Sequence, residues 1–193
     1  MSQFTERQLQ IIQVSIELIS RRGVLGLTIK NISEAIGISE PAIYRHFDNK
    51  SAIILGIVSV LSDSFDEEFN LNSEKMDAVN KIKSIFNNLT SHFIENPALT
   101  AIVFSEEIFN NEIEADKIIL NMMEKKQQKL IDVLTTGQTN GDIRTDLDAK
   151  QLSLIIIGSF RFLVSKWHLR NYAFDLEAEV EELLNSLEMI IIL

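Results

Sequence analysis

The sequence predicts an all-α protein: a three-helix, helix-turn-helix head followed by a larger helical body, about nine helices in total. Three observations lead there. Only 2 Pro and 7 Gly interrupt 193 residues. Apolar residues recur at helical rather than alternating spacing. Capping residues stand where the periodic runs begin, and glycines where several of them end.

Thr5 and Gln8 form a capping-box pattern ahead of Leu9, Ile12, Ile16 and Ile19, which share one helical face. Arg21 and Arg22 suit the last turn of this first helix, Gly23 its end, and Gly26 relaxes the connection. Thr28 caps a second helix with an expected inner face of Ile32, Ala35 and Ile36, and Gly37 ends it at a sharp turn. Ile38 packs inward and Ser39 caps a third helix over Glu40 to His46. Pro41 falls in that helix's first turn, where a missing N–H costs little. Ile43 and Phe47 anchor it to the first two helices. Caps, turns and apolar positions all agree on one small head, residues 1–48.

The body, residues 49–193, begins with Asn49 capping a fourth helix that reaches about Phe69, with Ile53, Ile57, Val60 and Leu61 inside. A break spans Asn70 to Ser73. The fifth helix runs from about Glu74 to Ile94 and stops before Pro97. ALTAIVFSEEIF and EADKIILNMMEKKQQKLIDVL read as the sixth and seventh, and GQTNGD (Gly137 to Asp142) as a loop. The last two helices span about Ala149 to Leu169 and Leu176 to Ile192. The first of these leaves almost no polar face, and one copy of the chain cannot cover both. A second copy is the natural cover. Leu152, Ile156, Phe160, Leu184 and Leu187 are the expected interface, and Gly158 permits close approach.

Composition narrows the function classes. A hydrophobic fraction of 46% with 24% charged residues is globular. With 0 Cys, disulfides, thiolate nucleophiles and cysteine metal sites are excluded, and a reducing setting fits. The start lacks a signal-peptide pattern, and the apolar runs near Ile156 and at the C-terminus are too short to span a bilayer. A cytoplasmic protein without a membrane partner is expected. The net charge of −10 is unevenly spread: residues 1–50 carry six basic and five acidic side chains, residues 51–193 twelve and 23. An acidic body repels DNA except through its head.

Candidate chemistry concentrates in that head. In a helix-turn-helix the second helix lies in the major groove while flanking residues grip phosphates. With Ile43 and Phe47 turned inward, Glu40, Pro41, Ala42, Tyr44, Arg45 and His46 face outward, Thr28 and Lys30 start the second helix, and Lys50 starts the fourth. A helix pair of this kind also occurs as plain core structure, but the Tyr44-Arg45-His46 cluster with Lys50 points to nucleic acid. Elsewhere the signals are bland. His46, His92 and His168 are scattered without an HExxH pair, and Glu106, Glu107, Glu112, Glu114 and Asp116 read as a solvated acidic face. GQTNGD lacks the Lys of a phosphate-gripping loop, and no G-x-S-x-G elbow occurs. No catalytic set, metal or cofactor is expected. Phe86, Phe93, Phe104, Met122, Phe162 and Trp167 are either ordinary core or the lining of a ligand cavity.

Gly23, Gly26 and Leu27–Thr28, then IGIS (Ile36 to Ser39), AIYRHF (Ala42 to Phe47) and Asn49–Lys50 together resemble the signature of the TetR family of transcriptional regulators. The remainder is similar to that family in length, helical pattern and apolar final helices. The resemblance implies a homodimer on a palindromic operator, usually a repressor released by a small ligand, here apolar or amphipathic. It implies phosphate or groove contacts for Thr28, Lys30, Tyr44, His46 and Lys50, and base reading by Glu40, Ala42 and Arg45, with Ser39 and Pro41 beside them. Many members have Gly where this chain has Pro41, a departure that bears on base preference. A chromosome-organising protein or an activator of the same fold, without an effector, is the alternative.

Overall fold

The computed structural model describes residues 4–68, 76–103 and 113–192. Among them are nine helices and no strand: α1 (Glu6–Arg22), α2 (Ile29–Ile36), α3 (Glu40–Tyr44), α4 (Lys50–Glu68), α5 (Ala78–Glu95), α6 (Ala98–Val103), α7 (Ile113–Asn140), α8 (Ala149–Leu169) and α9 (Leu176–Ile191). A 3-10 turn covers Val24–Gly26. The chain clusters into two compact units, Met1–Asp63 with Ala98–Leu120, and Ser64–Pro97 with Asn121–Leu193. The expected break at Asn70 to Ser73 and the end of the sixth helix lie outside the described residues.

In the first unit, the Thr5–Gln8 capping box forms in both directions, and Gly23 ends α1 at φ 69° with its N–H on the Ile19 carbonyl. Ile11, Ile12, Ile16 and Ile19 are buried, and α1 packs against both α2 and α6. Thr28 caps α2 by accepting the Asn31 N–H at 3.1 Å, and Gly37 closes it in the left-handed region at φ 78°. The inner face of α2 is Ile32 and Ser33, not Ala35, which is exposed. Ser33 is tolerated inside because its hydroxyl donates to the Lys30 carbonyl at 2.8 Å. Gly56 lets α4 lie close: a Cβ there would come within 3.0 Å of Ile12 and 3.3 Å of Phe47.

In the second unit, α5 starts at Ala78 rather than near Glu74 because Asp77 is its cap. The Asp77 carboxylate accepts the Asn80 N–H at 2.8 Å, and that bond holds its pKa below the ordinary aspartate value. The expected loop from Gly137 is displaced. Gly137 is a buried residue inside α7, which continues to Asn140, and the turn comes at Gly141 with φ 85°. Its role is close packing, since a Cβ at Gly137 would lie 2.5 Å from that of Ala78. Buried side chains of α5, α8 and α9, among them Ile82, Phe86, Ile156, Val164, Val180 and Leu184, fill this unit's core, each worth roughly 1.5–3 kcal/mol of burial. Asn171 and Tyr172, at φ 51° and 62°, turn the chain between α8 and α9. Tyr172 is held there by its ring on Trp167 and its hydroxyl on the Pro97 carbonyl at 3.2 Å.

Taken whole, α8 is long and apolar enough to cross a membrane, the one such helix among the described residues, although the short runs inside it are not. Its packing accounts for the composition. One face fills the second unit's core and the other carries an exposed apolar stripe.

Candidate nucleic-acid interface

Sharp geometry in the head follows from the turn between α2 and α3. The N–H groups of Gly37 and Ile38 both return to the Ser33 carbonyl, at 2.9 and 3.0 Å, which reverses the chain over two residues. Ser39 takes the N-cap backbone position of α3 but makes no side-chain cap bond. The reason is local. Pro41 has removed one of the two N–H groups a cap would bind, and the other, on Ala42, donates to the Ser39 carbonyl at 2.9 Å.

α3 is shorter than expected, ending at Tyr44 instead of His46. Beyond it the N–H groups of His46 and Phe47 share the Ile43 carbonyl at 2.9 and 3.1 Å, so the chain leaves in a tight turn. Ile43 and Phe47 are buried as expected. Glu40, Pro41, Tyr44 and Arg45 are therefore exposed, with Ala42 and His46 half-buried beside them. Tyr44 is 50% exposed, an aromatic ring left in water with its hydroxyl free to turn outward.

Supporting cations stand at two other helix starts. Lys30 is exposed and only 3.9 Å from Glu34, a surface pair worth little and readily given up. Lys50 is the exposed first residue of α4, where Asn49 accepts the Ala52 N–H at 2.8 Å. Thr28, already the cap of α2, is exposed as well. All ten sequence-derived positions lie in the first unit. One neighbour escaped the sequence: Gln8, read only as a cap partner, also donates from Nε2 to the His46 carbonyl at 3.1 Å. Side chain to backbone bonds over 38 residues leave no local pattern to read.

The expected ligand-lining residues do not form one set. Phe86 and Phe93 are buried and share Phe160, with ring centroids 4.9 and 6.4 Å away. Trp167 is buried elsewhere, edge-on to Tyr172, with its indole N–H on the Phe174 carbonyl at 3.0 Å. Met122 is half-buried, Phe162 is 72% exposed, and Phe104 lies outside the described residues. A core position cannot also be an outer face, and on that ground the expected interface is corrected. Leu152, Ile156, Phe160, Leu184 and Leu187 are buried within the chain's own core, and of the six only Gly158 is exposed, with open space around it. Outward instead point Leu154, Ile155, Gly158, Phe162 and Leu169 of α8. Of these, Gly158 and Phe162 line a groove of about 550 Å³ whose other walls include Glu179, Glu182 and Leu183. Among the described residues no three His, Asp or Glu side chains are grouped to hold a metal ion.

Two family models match this chain: bacterial regulatory proteins of the tetR family over residues 11–57, and the tetracyclin repressor-like C-terminal domain over residues 79–192. The fatty acid metabolism regulator protein of Bacillus subtilis (strain 168) is 25% identical over 181 residues, covering 92% of each chain. The structure of the fatty acid degradation regulator FadR from Bacillus halodurans superposes with a TM-score of 0.83 at 21% identity, covering 96% of both chains. That of the transcriptional regulator FadR from Bacillus subtilis, in complex with stearoyl-CoA, gives a TM-score of 0.74 at 24% identity, covering 94% of this chain and 96% of that one.

Proposed function

The chain belongs to the TetR family of bacterial regulatory proteins, DNA-binding regulators rather than enzymes, and we propose that it is a homodimeric repressor of a palindromic operator, released by a long-chain acyl-CoA or a similar amphipathic ligand. The observation that carries the DNA half is the exposed row on α3. Pinned by Ile43 and Phe47, that short helix and the turn after it hold out Glu40, Tyr44 and Arg45 within residues 1–50, which lack the acidic excess of residues 51–193.

In this reading α3 enters the major groove. Arg45 takes a guanine edge through its two-pronged guanidinium, and Glu40 accepts from a cytosine amine, with Ala42 against a neighbouring base. Tyr44, Thr28, Lys30, His46 and Lys50 bind phosphates, which sets register, and Ser39 and Pro41 sit at the groove's mouth. Two copies joined through the exposed stripe of α8 and its neighbours on α9 hold their recognition helices about one DNA turn, roughly 34–36 Å, apart. A ligand that binds the body better at a different spacing releases the operator by its differential affinity for the two states. An acyl chain with an anionic head suits the stearoyl-CoA held by the Bacillus subtilis regulator and this chain's aromatic content. Repression takes place in the cytoplasm, beside the genome.

The test is selection of bound fragments from genomic DNA, followed by titration with stearoyl-CoA and with free CoA. Release by stearoyl-CoA alone supports the reading. Failure to enrich any fragment refutes the operator, and equal indifference to both compounds refutes the acyl effector.

A further inference from the structure

We propose that Gln8 is a positioning residue for DNA recognition, holding the C-terminal end of α3 through its bond to the His46 carbonyl. The inference rests on α3 being the groove helix. With five residues, α3 cannot hold itself: a single turn fixes several dihedrals for about one hydrogen bond, and such a nucleus is unfavourable alone. Its placement must come from outside. Ile43 and Phe47 supply apolar anchors on one side and the turn after α2 ties the start, but neither gives the C-terminal end a directional bond from another helix.

The Gln8 amide supplies that bond. Its Nε2 lies 3.1 Å from the His46 oxygen, at the part-buried seam between α1 and the turn after α3. The amide is itself immobilised, because its Oε1 accepts from the Thr5 N–H at 2.9 Å and the Thr5 hydroxyl at 3.0 Å. One side chain thus closes the α1 cap and clamps the recognition turn. The choice of residue separates the two tasks. A capping box is served by Glu as well as by Gln, but only Gln also has an N–H to give to a carbonyl. His46 follows Arg45 directly, so a pivot at this end moves the side chain proposed to read a base.

Two variants divide the roles. Gln8→Met removes both the cap partner and the His46 donor, and Thr5→Val weakens the cap while leaving the donor in place. Each full-length protein is titrated, by fluorescence anisotropy, against the genomic fragment selected by the unaltered protein and against a random-sequence duplex of equal length. A loss of folded protein lowers both affinities together and leaves their ratio unchanged. Gln8→Met is expected to lower the ratio about fivefold, the worth of one net hydrogen bond, and Thr5→Val to leave it unchanged. An unchanged ratio in Gln8→Met, or an equal fall in Thr5→Val, overturns the positioning role with operator binding intact. An unaltered protein that prefers neither duplex overturns the groove-helix reading and this inference with it.

Discussion

Replacing Phe162 with Ala tests the proposed dimer at its most exposed aromatic. In a single chain the ring is 72% exposed, so removing it costs the monomer's own packing little. A second copy laid on the α8 stripe covers it. Burying a whole phenylalanine is worth roughly 1.5–3 kcal/mol, so the exposed 72% is worth roughly 1–2 kcal/mol in each copy. A two-fold interface counts the loss twice, roughly 2–4 kcal/mol, which raises the dimer dissociation constant roughly 30- to 1000-fold. Sedimentation velocity over a dilution series measures that constant, and circular dichroism checks that helix content is kept. Leu120→Ala, an exposed apolar residue on α7, is the control and is expected to leave the constant alone. A Phe162→Ala shift of less than about threefold would refute an interface on this face.

Three further outcomes are expected. Lys50→Ala weakens binding to every duplex and lowers the slope of log affinity against log salt by about one, and an unchanged slope in the salt titration removes Lys50 from the phosphate contacts. Gly137→Ala forces a methyl to within 2.5 Å of Ala78. Overpacking of roughly 1–3 kcal/mol outweighs the gain in helix propensity, so the melting temperature should fall by about 2–4 °C. Burial holds the His168 imidazole below the ordinary histidine pKa, so the unfolded chain takes up that proton first as the pH drops. Stability associated with His168 is therefore present above about pH 6.5 and is lost as the pH falls through the lower folded value. Urea unfolding of the parent and of His168→Gln at stepped pH should show the variant losing less stability across that window.

What the sequence discloses here is what neighbours in the chain decide. The Thr5–Gln8 box, the Gly23 and Gly37 ends, the Asn49 cap and the inward Ile43 and Phe47 all come out as the spacing predicts, since each depends on residues a few positions away. Tertiary packing decides the rest. Gly137 looks like a turn residue until Ala78 is seen against it, and Ser33 displaces Ala35 because a local carbonyl takes its hydroxyl. Phase is the deepest difficulty in α8. A helix apolar on every side has no periodicity to mark its inner face, so Leu152, Ile156 and Phe160 are indistinguishable in sequence from Leu154, Ile155 and Phe162. Only the cores of α5 and α9 choose between them. The aromatics are sorted by packing for the same reason, because residue type alone does not say that Phe86 meets Phe160 while Phe162 faces water.

The most direct measurement is hydroxyl-radical and methylation footprinting of the protein on its selected genomic fragment. A dimer reading DNA through α3 protects two major-groove segments of related, inverted sequence, with centres about one helical turn apart. Protection that spreads evenly along the duplex, without sequence preference or two-fold symmetry, contradicts it.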